Sequence, residues 1–232
     1  MARVSADSSV EQLEEGIAKY LTEELYGKAV VLQEYQLEKI PVSEWAERTM
    51  AKYLLALTYG EIHETKKAVP LWTEVLSEIS KVDEPWLHCE VTFEAGRALV
   101  QSHEVGEAQK TFAKGLSLSK KVNLKAWEAA FEHELGNLLV ESHAAQALVH
   151  LNSALSMRRD LADKGLIASS AFALGRAHAA LQDNAKAKDF FEQAHVLLST
   201  DEDFAAEKRK IEEQLALLRN AELKNKLSKL NF

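Results

Sequence analysis

Apolar residues recur at three- and four-residue spacing in segments such as 107–119 and 186–198, the pattern of helices with one buried stripe. A longer period is superimposed on this local one. Taking the small residues Ala56, Gly96, Gly136 and Gly175 as anchors gives intervals of 40, 40 and 39 residues. Eleven or twelve residues after each anchor comes Ala68, Ala108, Ala147 or Ala187, and the same lattice reaches back to Ala29. Four residues beyond each of the last four alanines stands a large apolar side chain, Trp72, Phe112, Leu151 or Phe191. Three further on comes Val75, Gly115, Ala154 or Ala194.

Such a small-large-small alternation suits helix-on-helix packing, where small residues let two backbones approach and a bulky one fills the adjoining gap. Each repeat therefore predicts a helical hairpin, and because one hairpin cannot bury its apolar face alone, neighbouring hairpins must stack. Asp183 is placed to accept from the free amides of a helix beginning near Ala185, while Asp83, Pro85, Asn123, Asp163, Gly165 and Asp201 are assigned to links between units. After Thr200, Phe204, Ile211, Leu215 and Leu218 lie at helical spacing among charged residues, which predicts a helix that caps the array. The final motif, Leu223, Leu227 and Leu230 with Lys224, Lys226 and Lys229, reads either as a frayed helix end or as a docking segment. The predicted organisation is a disordered 1–8, helical repeats over 9–200 and a capping helix with tail over 201–232.

These residues resemble the tetratricopeptide repeat over about 10–200, and Leu135-Gly136-Asn137 is similar to the family's most frequent first-helix wording. The 39- to 40-residue stride is similar to the long-linker subgroup found in kinesin light chains, spindle-orientation adaptors and bacterial signal-sensing regulators. The resemblance implies an all-α, right-handed α-α superhelix of four to five hairpins plus a C-terminal capping helix. The first unit departs from the pattern, with Gln33 at the large apolar position.

Composition agrees with an all-helical chain: 232 residues contain only three prolines, nine glycines and 7% aromatics. A net charge of −8 opposes attraction to nucleic acid or to an anionic membrane, so neither is an expected partner. The single cysteine, Cys89, excludes an intrachain disulfide and points to a reducing, cytoplasmic setting, and no stretch approaches the length of a membrane span.

Candidate chemistry is sparse. His133-Glu134-Leu135-Gly136-Asn137 begins like a zincin helix, but Asn137 replaces the second histidine ligand. His63, His103 and His143 recur every 40 residues, which assigns them to one inter-helix turn, there to satisfy helix-end carbonyls, with a surface pH response as the alternative. Equivalent atoms of stacked repeats lie on the order of 10 Å apart, too far to share one metal. Cys89, near Trp86 and His88, reads as a small apolar filler rather than a nucleophile. No catalytic residue, metal or cofactor is expected.

The resemblance places the first helix of each pair on a concave wall. Three residues before each anchor stand Tyr53, Phe93, His133 and Phe172, and one residue after it stand Leu57, Arg97, Asn137 and Arg176. In the family these positions commonly face the groove, where Asn or Arg holds a peptide backbone or carboxylate and rings take side chains. The alternative is that Phe93 and Phe172 pack between repeats and the arginines pair with Glu90, Glu94 or Glu134. The basic clamp that some members use on chaperone tails is missing. The resulting expectation is a non-enzymatic adaptor holding a segment of another protein, with a peptide- or ligand-sensing regulator and a structural subunit of a larger assembly as alternatives.

Overall fold

The computed structural model describes residues 10–199 and 202–228, and every regular element among them is helical. Ten helices form five consecutive hairpins: α1 (Val10–Thr22) with α2 (Tyr26–Lys39), α3 (Trp45–Glu61) with α4 (Thr65–Ile79), α5 (Pro85–Gln101) with α6 (Val105–Lys121), α7 (Lys125–Leu139) with α8 (Ala144–Asp160), and α9 (Lys164–Ala180) with α10 (Asn184–Leu198). A 3-10 turn, Glu202–Phe204, leads into the long α11 (Ala205–Ser228). The second helices of the pairs start at Tyr26, Thr65, Val105, Ala144 and Asn184, in step with the alanine lattice.

The lattice is a packing pattern. Ala29, Ala68, Ala108, Ala147 and Ala187 are all fully buried, as are Phe112, Leu151 and Phe191. Three of the four anchors are glycine for a steric reason. A Cβ on Gly136 would sit 2.5 Å from Leu151 Cγ, one on Gly175 would sit 2.5 Å from two ring carbons of Phe191, and one on Gly96 would overlap the Phe112 ring. The bulky side chains of α6, α8 and α10 thus rest directly on the backbone of their own first helices.

Six of the described residues adopt a left-handed backbone in the turns: Glu24, His63, His103, Asn123, Ala162 and Gln182. At His63 the backbone N–H donates to Gly60 O (3.1 Å) and that of Glu64 to Tyr59 O (2.9 Å), and His103 and Glu104 repeat the arrangement on Val100 and Leu99. This paired closure satisfies orphan helix-end carbonyls. The histidines predicted to do so act through their main chain, not their rings. His143 does not share the position: it directly precedes α8, with φ −142°, because the turn after α7 has a different register.

Pro85 opens α5 and Gly165 lies in the first turn of α9, so neither is a linker residue, and Asp201 falls outside the described residues. Helices α3 to α10 are 15 to 17 residues long. Asp163 and Asp183 cap α9 and α10, accepting from the amides of Leu166 (2.9 Å) and Lys186 (3.3 Å).

The chain packs as two compact units, one up to Leu118 and one from Ser119 onward. The first is built on Leu55, Tyr59, Trp72, Val75, Ile79 and Val91. In the second, Leu151, Leu155 and Leu174 form one cluster, and Phe191, Leu198, Ile211, Leu215 and Leu218 form another, in which the apolar stripe of α11 lies on α10. At the large apolar position of the first hairpin, Gln33 is 2% exposed, and both its amide nitrogen and oxygen lack a hydrogen-bond partner among the described residues. Leu223 and Lys224 of the tail motif are exposed, while Lys229, Leu230 and the segment 1–8 expected to be disordered lie outside the described residues.

Candidate functional site

In the first unit the predicted wall residues come from α3 and α5. Tyr53 is half-buried, its ring meets Trp72 edge-on at 5.6 Å, and its hydroxyl donates to Glu90 Oε1 at 2.6 Å. Burial, reinforced by that carboxylate, holds the Tyr53 hydroxyl far above the ordinary phenol range, so it stays a neutral donor. Leu57 is half-buried against the core. Phe93 packs on Phe112 with ring centroids 6.0 Å apart, and Arg97 is exposed one turn further on, its Nη1 on Glu94 Oε1 at 3.2 Å.

In the second unit, Phe172 packs on Phe191 at 5.5 Å, and Arg176 reaches from α9 to Glu141 with Nη2 2.7 Å from Oε1. Asn137 is half-buried, and its side-chain amide has no hydrogen-bond partner among the described residues. His133 departs from the expected position. It is 5% exposed, walled in by Ser169 (Oγ to Nε2, 3.3 Å), Ser170 and, from α8, Arg158. Burial, with the Arg158 charge adding to it, lowers its pKa to about 3. His133 is therefore a neutral core residue. The buried Arg158 guanidinium donates to Leu166 O (3.1 Å) and Ser170 Oγ (2.8 Å). Burial lowers its pKa to about 10, opposed by Glu134 and Asp163.

The two arginines do pair with carboxylates, but Arg176 chooses Glu141, not Glu134, and the two phenylalanines pack within their own hairpins. Trp86, 54% exposed at the start of α5, had entered only as a neighbour of Cys89, and Glu90 only as a partner for an arginine. Their signal was the i, i+4, i+7, i+11 stripe Trp86, Glu90, Phe93, Arg97. A second omission is a cleft of about 500 Å³ beside Phe172, lined by Leu166, Ser169, Leu198, Phe204 and Ile211.

The chemistry of these groups is weak. Ser169 and His133 stand at nucleophile–base distance, but an imidazole with a pKa near 3 cannot take a proton at neutral pH. Cys89 is fully buried, and burial raises its thiol to about 11, so it is not an activated thiolate. No three His, Cys, Asp or Glu side chains among the described residues are grouped to hold a metal. No helix among them is long and apolar enough to cross a membrane.

Solved structures share this arrangement. The kinesin light chain TPR-like repeats of Podosopora anserina superpose with a TM-score of 0.66 at 18% identity, covering 83% of this chain and 97% of theirs. The apo form of RapI gives a TM-score of 0.77 at 14% identity, over 95% of this chain and 87% of its own. The fold is a tetratricopeptide-like helical repeat. The Rap conjugation gene regulator of plasmid pLS20, solved in complex with the Phr* peptide, matches with a TM-score of 0.64 at 18% identity over 95% of this chain and 66% of its own. No protein-family model and no curated protein matches the sequence.

Proposed function

We propose that the chain is a non-enzymatic protein-binding repeat module, an adaptor that holds an extended or helical segment of another protein against the first helices of its hairpins. The observation that carries this reading is the recurrence, on α5 and α9, of a half-buried phenylalanine with an arginine one turn later: Phe93 with Arg97, and Phe172 with Arg176. Each arginine is tied to a single carboxylate at the surface, a contact worth at most about 1 kcal/mol. A partner carboxylate or backbone carbonyl can therefore displace it at little cost, while the adjacent rings receive side chains. Tyr53, Leu57 and Asn137 complete the proposed contacts. His133 contributes by holding α7 to α9 and does not touch the partner.

The test is affinity capture of partners on the full chain, repeated with Arg97→Ala combined with Arg176→Ala. Loss of the captured partner with unchanged helicity supports the assignment. A partner retained at full strength overturns it. A second reading, a peptide-sensing regulator, draws on the likeness to the pLS20 regulator bound to its Phr* peptide. It requires a ligand-dependent rise in Tm of the isolated chain, as mass action demands of anything that binds the folded state.

A further inference from the structure

The net charge is segregated. Residues 1–118 hold 12 basic and 20 acidic side chains, a balance of −8 that equals that of the whole protein, while residues 119–232 balance 16 against 16. Within the first unit, Glu74 and Glu78 share Lys52, Glu94 holds Arg97 on its own helix, and Glu34, which accepts from the Tyr59 hydroxyl, is exposed. Glu90 differs. It is half-buried on one stripe of α5, it accepts from the Tyr53 hydroxyl, and no basic side chain among the described residues pairs with it. On the same stripe Trp86 stands one turn before it and Phe93 one turn after it. Met50, exposed, stands one turn before Tyr53 on α3, and Leu54, also exposed, one turn after Met50.

We infer that Glu90 and Trp86 form a subsite for a basic side chain, lysine or arginine, of the bound segment, with Met50 and Leu54 receiving the apolar residues beside it. The inference rests on the protein-binding reading above and adds the chemistry of the partner. A guanidinium or ammonium over Glu90 makes a charge-assisted hydrogen bond and lies against an indole face, and each contact strengthens as the segment excludes water. An acidic or neutral segment at the same place strips water from Glu90 without replacing it, so the site discriminates by charge. The surplus of carboxylates in the first unit steers a cationic segment toward this face and repels an anionic one.

The experiment pans a phage-displayed library of random peptides on the full-length chain, then measures one enriched peptide by fluorescence anisotropy. Enriched peptides should carry lysine or arginine, and Glu90→Gln, which keeps an oxygen for the Tyr53 hydroxyl, should weaken binding about tenfold. Trp86→Ala should weaken it as well, measured at a temperature where circular dichroism shows the variant folded. Enrichment of acidic or uncharged peptides, or a basic peptide indifferent to Glu90→Gln, overturns the subsite and leaves the module reading standing. A folded chain that enriches no peptide overturns both.

Discussion

Gly175→Ala tests the packing rule on which the repeat depends. In a helix interior this change alone is worth about 1 kcal/mol in favour of alanine. Here the new Cβ would lie 2.5 Å from two ring carbons of Phe191 and 3.0 Å from a third. Carbon atoms in ordinary contact stand about 3.5–4.0 Å apart, so the ring must retreat by about an ångström. Phe191 cannot do so freely, because it is fully buried among Ala168, Ala171, Leu198 and Ile211. Overpacking of this kind costs about 1–3 kcal/mol, which outweighs the gain in propensity and leaves a net loss of about 1 kcal/mol. Gly106→Ala is the control. It also lies in a helix, yet a Cβ there meets nothing within 4 Å, so that variant should gain up to about 1 kcal/mol. Urea unfolding followed by circular dichroism measures both, and Phe191→Val should relieve the Gly175→Ala penalty in a double-mutant cycle. If Gly175→Ala stabilises the protein as much as Gly106→Ala does, the close approach of the α9 backbone to Phe191 is wrong.

Further outcomes are expected. Gln33→Leu removes two buried polar atoms that lack partners and restores the apolar lattice, which should raise stability by about 1–3 kcal/mol; a lower Tm would mean that the amide is satisfied in solution. Ala162→Gly relieves a left-handed, exposed alanine and should stabilise by about 1 kcal/mol, and unchanged or reduced stability in urea would count against that backbone assignment. His133 makes stability fall in acid. Its folded pKa of about 3 lies below the ordinary 6.5, so between these values the unfolded chain binds a proton that the native chain refuses. The loss is at most about 1.4 kcal/mol for each pH unit below 6.5 and is complete near the folded value. His133→Gln should therefore fall less steeply than the parent between pH 6.5 and pH 4 in urea titrations, whereas parallel curves would show that this imidazole titrates freely.

Periodicity along the chain was enough to place the helices, their pairing and the residues that pack between them. A residue such as Ala68 or Phe112 is chosen by the one surface it always meets, so its type repeats whenever that surface does. The same logic made Asp183 legible as a cap, since an N-cap needs only its own next turn. What the tertiary structure alone decided are contacts between residues far apart in the chain. His133 and Phe93 occupy equivalent repeat positions, but Ser169, Ser170 and Arg158 close around the histidine, which α7 by itself does not encode. Arg176 pairs with Glu141 on another helix, and the Tyr53 hydroxyl reaches Glu90 across 37 residues, because the offset between neighbouring helices sets which side chains meet. Periodicity records which face of a helix is buried, and only the docking of one helix on the next decides what that face touches.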